Sequence, residues 1–202
     1  MRHIILAVFV SVLAVFPADA RSADPDVLIR EAVELLEDGL DGRRDELRAD
    51  KDALYEFIDG ILLPRFERRF AAMMVLGKHW KTASDDQRSR FIDAFYSTLL
   101  QRYAEGILEF DTNRVEILPF RGDTEGKYST VKTRVKLDDG TDVPVHYDLV
   151  NGKDGWRMFN VKIEGVSYVV NFRKEFEAEI EASSLAAVIE RLEDEAGIAR
   201  DE

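Results

Sequence analysis

GWRMFNVKIEGVSYVVNFRKEF, residues 155–176, reads as a strand opened by an aromatic residue, a tight turn at Glu164-Gly165, and a helix. Val169, Phe172, Phe176 and Ile180 recur at helical spacing and share one face. Such a joint packs a helix onto a sheet through large apolar side chains. The stretch carries no nucleophile, no metal-ligand spacing and no phosphate loop. Its strand changes parity between Met158 and Phe159, which points to a bulge or to a strand apolar on both faces.

Upstream, residues 114–120 read as a strand ended by Pro119 and Gly122. Residues 128–137 alternate, with Val131, Thr133, Val135 and Leu137 on one side and Thr130, Lys132, Arg134 and Lys136 on the other. Asp139-Gly140 is a hairpin turn. The next strand sets Val143, Val145, Tyr147 and Leu149 against His146 and Asp148. The sheet should have about four antiparallel strands, one face wet and one apolar, with helices on the apolar face.

The first half reads as helices. Asp24 caps a helix with Pro25 at its first position, Leu28, Ala32, Leu35 and Leu36 inward, and Gly39 as its stop. A charged connector follows from Asp41 to Asp50. Leu54, Phe57, Ile58 and Ile61 mark a second helix. Pro64 opens a third, with Phe66, Phe70, Met73 and Met74 inward and Gly77 at its end. Ser84 and Gln87 form a capping box ahead of Phe91, Phe95, Leu99 and Tyr103. Ser183 or Ser184 caps a last helix with Leu185, Val188, Ile189 and Leu192.

The chain begins with Arg2, an apolar run from Ile4 to Phe16, and Ala18-Asp19-Ala20. This is a cleavable secretory signal peptide, too short for a membrane span, with cleavage expected after Ala20. Removing residues 1–20 from 202 leaves 182, enough for one domain, residues 21–202. The signal holds one cation, Arg2, and one anion, Asp19, so the net charge of −12 is retained. That charge disfavours nucleic acid and anionic membrane surfaces and favours a soluble monomer. Cysteine is absent, so neither a disulfide nor a lipidated N-terminal cysteine is available.

The segments LGKHWKTASDDQRSRFIDAFYSTLLQRYAEGIL (Leu76–Leu108) and GWRMFNVKIEGVSYVVNFRKEF (Gly155–Phe176), in this order behind a signal peptide, resemble the MlaC family. The likeness spans roughly Pro25 to Leu192. These are periplasmic phospholipid-binding components of the lipid-asymmetry ABC transport system, also called toluene-tolerance auxiliary proteins. The resemblance implies a carrier of phospholipid between outer and inner membranes. Its partners would be an outer-membrane lipoprotein–porin complex and an inner-membrane lipid ABC transporter. No cofactor, metal or catalytic residue is implied, only bound phospholipid as cargo. A hopanoid-associated branch shares the pattern, so another lipid is an alternative cargo.

Such a carrier needs an apolar cavity, since each methylene hidden from water is worth about 0.8 kcal/mol. The inward sheet positions Val131, Val135, Val143, Val145, Tyr147, Phe159 and Val161 are expected to line it. Helix residues Met73, Met74, Leu99, Tyr103, Val169 and Phe172 are expected to face them. Methionine adapts to irregular neighbours, which suits variable acyl chains. For any one of these residues, packing in a protein core is the commoner fate of a regularly spaced apolar side chain.

His79 and His146 stand alone, without a second ligand at metal spacing. Gly165-Val166-Ser167-Tyr168-Val169 lacks the last glycine of a hydrolase elbow, and Ser167 reads as a helix cap. Trp80 and Trp156 read as core anchors. Arg65, Arg68 and Arg69 form either a solvated helix face or a contact for a lipid phosphate or an acidic partner. Two other classes remain open: a small exported enzyme with a conical α+β pocket, and a protein-binding adaptor. The enzyme would need a carboxylate or histidine on the inward strand face, where Val, Thr, Tyr and Leu stand instead.

Overall fold

The computed structural model describes residues 24–109 and 111–198, with residue 112 described by its backbone alone. The signal peptide expected at 1–20 lies outside the described residues. The order is α1 (Pro25–Leu40), α2 (Arg44–Ala49), α3 (Lys51–Leu62), α4 (Arg68–Leu76), α5 (His79–Thr82), α6 (Asp85–Glu109), β1 (Val115–Ile117), β2 (Tyr128–Lys136), β3 (Asp142–Gly152), β4 (Gly155–Ile163), β5 (Val166–Ser167), α7 (Tyr168–Ala182) and α8 (Leu185–Ala196). The protein is α+β. Its sheet is an antiparallel meander in the order β1-β2-β3-β4-β5. The fifth strand, two residues long, comes from the Glu164-Gly165 turn, where both residues take positive φ and fold Val166 back onto Ile163.

Helix ends follow local chemistry. Ser84 and Gln87 exchange the two bonds of a capping box, at 3.0 and 3.1 Å. The Ser167 hydroxyl accepts from the Val170 N–H at 3.3 Å, and that of Ser184 from Ala187 at 3.1 Å. Gly77, at φ 53, closes α4.

Several expectations are corrected. Gly39 lies inside α1, where a Cβ would meet the Phe57 ring at 2.3 Å; it permits a close approach rather than a stop. The connector Asp41–Asp50 holds α2, whose Leu47 is fully buried against Leu54, Ile58 and Leu108. Pro64 lies in a 3-10 turn, Leu63–Arg65, and α4 starts at Arg68. Between them Phe66 forms a parallel bridge with Met158, and the Glu67 N–H donates to the Met158 carbonyl at 2.7 Å. The strand expected over 114–120 is only three residues long, and Leu137 lies beyond β2 and is exposed.

The largest buried cluster is helical. Val169, Phe172, Phe176 and Ile180 of α7 meet Ala72, Val75 and Leu76 of α4, Phe91 and Phe95 of α6, and Val188, Ile189 and Leu192 of α8. The Phe95 ring meets Phe172 edge-on at 5.3 Å and Phe176 at 5.7 Å. The apolar face of α7 therefore packs on helices, where the sequence suggested a sheet. A second cluster joins α2, α3 and the end of α6. A third holds Ile29 of α1 on Val131, Leu149 and Trp156 of the sheet. The sheet takes its main helical contacts from α1, α4 and α7, whereas α6 packs mainly on α8, α3, α4 and α2.

Candidate functional site

Register decides which side chains share a sheet face. Val131 pairs with Tyr147 and Tyr147 with Val161; Thr133 pairs with Val145 and Val145 with Ile163; Val135 pairs with Val143. Val131, Val135, Val143, Val145, Tyr147 and Val161 thus line one face, with Ile163 beside them. Exposure varies along it. Val131 and Leu149 are fully buried beneath α1. Val143, Tyr147, Val161 and Ile163 stay half-buried. One end of the apolar face is sealed by protein; toward the other end Val135 and Val145 are buried, while Val143, Val161 and Ile163 remain partly open. Burial pushes the Tyr147 phenol up, partly offset by its hydrogen bond with the Thr133 hydroxyl.

The helical candidates fall elsewhere. Val169 and Phe172 are buried in the helical cluster, with Met74 and Leu99 packed against it. Met73 is half-buried on α4. Tyr103 is exposed and meets the Tyr168 ring edge-on at 5.8 Å; burial pushes its phenol up. Val131 and Tyr147 thus belong to one buried cluster and Val169, Phe172, Met74 and Leu99 to another, rather than to facing walls of one core.

Phe159 departs from the expected parity. The ladder shifts between Asp148 and Leu149, so Asp148 faces Asn160, Leu149 faces Met158, and Phe159 is the unpaired residue of a bulge. Its ring meets Phe70 edge-on at 4.8 Å and Tyr128 at 6.4 Å. Tyr128 alternates with Val131 on β2, so Phe159 lies on the face opposite Val161.

That opposite face carries a polar hub that sequence reading missed. The Asp148 carboxylate accepts from the Thr130 hydroxyl at 2.8 Å, the Asn160 amide at 2.8 Å and the Lys162 ammonium at 2.8 Å. The Asn160 carbonyl oxygen in turn accepts from the Ser167 hydroxyl and the Val169 N–H, both at 3.1 Å. The hub ties three strands to the first turn of α7. Its only signal in the sequence is that Thr130, Asp148, Asn160 and Lys162 are polar, and their meeting depends on register. His146 lies on the same face; burial and the charges of Lys132 and Lys162 push its imidazole below the usual range, against the pull of Asp148.

With this geometry in place, comparison with known proteins decides the family. The family model described as MlaC protein matches residues 30–194. The chain belongs to the MlaC family. A relative, the toluene tolerance protein ttg2D of Pseudomonas putida, is 28% identical over 167 residues, covering 81% of this chain and 77% of that protein. The intermembrane phospholipid transport system binding protein MlaC of Haemophilus influenzae is 20% identical over 175 residues, covering 85% and 82%. A phospholipid-binding protein from Ralstonia solanacearum, solved in complex with a phospholipid, shares the fold at TM-score 0.75 and 20% identity. That match covers 87% of this chain and 98% of the solved one. Among the described residues no helix is long and apolar enough to cross a membrane.

Proposed function

We propose that this MlaC-family chain is a soluble periplasmic carrier of phospholipid, moving lipid between outer and inner membranes within an ABC-transport lipid-asymmetry system. It would exchange cargo with an inner-membrane lipid ABC transporter and an outer-membrane lipoprotein–porin complex. Cleavage after Ala20 would release residues 21–202 as one unlipidated domain. The observation that carries this reading is the half-buried apolar stretch Val143, Tyr147, Val161 and Ile163 beside a fully buried one. Acyl chains laid along it would leave water at about 25 cal/mol per Å2 of apolar surface covered. The relatives' names and the phospholipid in the Ralstonia protein support the cargo class.

Native mass spectrometry on chain exported to the periplasm tests the proposal. An adduct of phospholipid mass is expected, and a hopanoid mass would redirect the cargo. A bare protein mass from several hosts would overturn the reading. The released chain should begin at Arg21 and be recovered in osmotic-shock fluid.

A further inference from the structure

The free edge of β2 carries a concavity whose lining shares no residue with the apolar stretch Val143, Tyr147, Val161 and Ile163. β1 ends at Ile117, and the Leu118 N–H donates to the Lys132 carbonyl at 3.0 Å. From there toward Tyr128, no strand among the described residues pairs with this side of β2. The chain after Leu118 instead loops beside the strand and returns at Lys127, whose carbonyl accepts from the Asn151 N–H at 2.9 Å. Between loop and strand lies a cleft of about 420 Å3, lined in part by Phe120, Arg121, Gly122, Tyr128, Ser129 and Lys132. Small-molecule sites typically enclose about 300–1,000 Å3.

The wall of this cleft offers two cations and a buried hydroxyl. Ser129 is 8% exposed, and its hydroxyl is buried with no hydrogen-bond partner. Buried hydroxyls are normally paired, because an unpaired one loses its hydration without replacement. Arg121 and Lys132 supply two cations, and neither has an ion-pair partner among the described residues. The carboxylate in the wall, Asp123, turns its Oδ1 to the N–H groups of Glu125 and Gly126, at 2.8 and 2.9 Å. Two cations and a donor against one occupied carboxylate make the cleft locally positive in a chain of net charge −12. The loop is also fitted to the strand. A methyl group on Gly122 would come within 2.5 Å of the Ser129 hydroxyl and 2.6 Å of the Phe120 ring.

We propose that this cleft binds an oxyanion of phosphate type. Arg121 supplies charge from the loop and Lys132 from the side of β2 opposite Ser129, reaching over the free edge; the unpaired Ser129 hydroxyl donates to one oxygen, and Phe120 and Tyr128 flank the organic remainder. The phosphate can belong to a lipid headgroup or to a free phosphate ester, since both present the same oxygens.

The test uses the exported chain stripped of lipid, with amide NMR shifts followed on addition of inorganic phosphate, glycerol 3-phosphate or phosphatidylglycerol. Saturable shifts at Arg121, Ser129 and Lys132 are expected with at least one probe, and none with chloride at matched ionic strength. Lys132→Gln and Arg121→Gln should each weaken binding by about tenfold, as befits loss of a charge-assisted contact. Ser129→Ala and Gly122→Ala should weaken it too, and melting curves identify any variant that fails to fold. Displacement of phosphate by the loaded lipid assigns the site to a headgroup; simultaneous occupancy assigns it to a free ester. Absence of saturable shifts with all three probes overturns the site, as does undiminished binding in a folded Arg121→Gln, Lys132→Gln double variant. Lipid content measured by native mass spectrometry is independent of these shifts, so the carrier reading stands or falls separately.

Discussion

Val131 and Val161 share a sheet face and a cross-strand neighbour, Tyr147, but differ in what lies above them, and one substitution at both positions separates a sealed core from an open apolar face. Val131 is fully buried against Ile29, Leu149 and Trp156. An indole there must push aside α1 or the sheet, and overpacking of this kind costs about 1–3 kcal/mol. For a domain of this length each kcal/mol lowers Tm by about 2–4 °C, so Val131→Trp should lose about 2–12 °C. Val161 is half-buried, and its cross-strand partner Tyr147 is half-buried too. An indole there extends into accessible space, and its expected cost stays below about 1 kcal/mol, or roughly 4 °C. It also covers the surface proposed for acyl chains, so bound lipid should fall. The assay pairs melting curves of delipidated wild type and both variants with lipid quantification by mass spectrometry. If Val161→Trp melts as low as Val131→Trp and still carries a full complement of lipid, the open face is not where the lipid lies.

The polar hub and its neighbours give further tests. Asp148→Ala deprives Thr130, Asn160 and Lys162 of their acceptor, and should cost about 1–3 kcal/mol in urea unfolding; an unchanged midpoint would show the hub contributes nothing. Asn160→Ala removes the acceptor held by Ser167 and the Val169 N–H; hydrogen exchange should quicken in the first turn of α7 before the rest of the helix, and uniform exchange along α7 would refute this. The folded pKa of His146 is depressed. The unfolded chain therefore binds its proton more tightly, and the stability it contributes is present above pH about 6.5 and lost as pH falls through the lower folded midpoint. An NMR titration should place the imidazole below 6.5, and His146→Gln should flatten that acid limb; a midpoint above 6.5 would reverse the argument.

What the sequence shows is mostly what neighbours in sequence decide. The Ser84–Gln87 box, the Ser167 cap and the alternation of β2 as far as Lys136 are local and appear as read, and of Ser183 and Ser184 it is Ser184 that caps α8. The face of α7 was legible, but its partner was not, since Phe172 looks the same whether it meets Phe95 or a strand. Helix α2 escaped because RDELRA has Leu47 as its one large apolar residue, buried only by contacts distant in sequence. Gly39 was misread because its close approach to Phe57 exists only once α1 and α3 are packed. Site residues divide in the same way. Strand parity places Val143, Tyr147 and Val161 on one face, but which part of that face α1 seals is a tertiary fact. The parity break at Met158–Phe159 was visible, yet the direction of Phe159 needed the bulge.

That bulge lets β4 hold one more residue than its partner strand can match. Trp156 and Met158 stand on even numbers, Val161 and Ile163 on odd ones, yet all four turn to the same face because Phe159 absorbs the change. Excising Phe159 would leave a regular ladder, Met158 opposite Leu149 and Asn160 opposite Asp148, with both faces as they are. The loss would be confined to the ring against Phe70 and Tyr128. A strand interior usually rejects a one-residue deletion, because every side chain beyond it changes sides. Here Phe159 is a position at which β4 could be shortened without turning the sheet inside out.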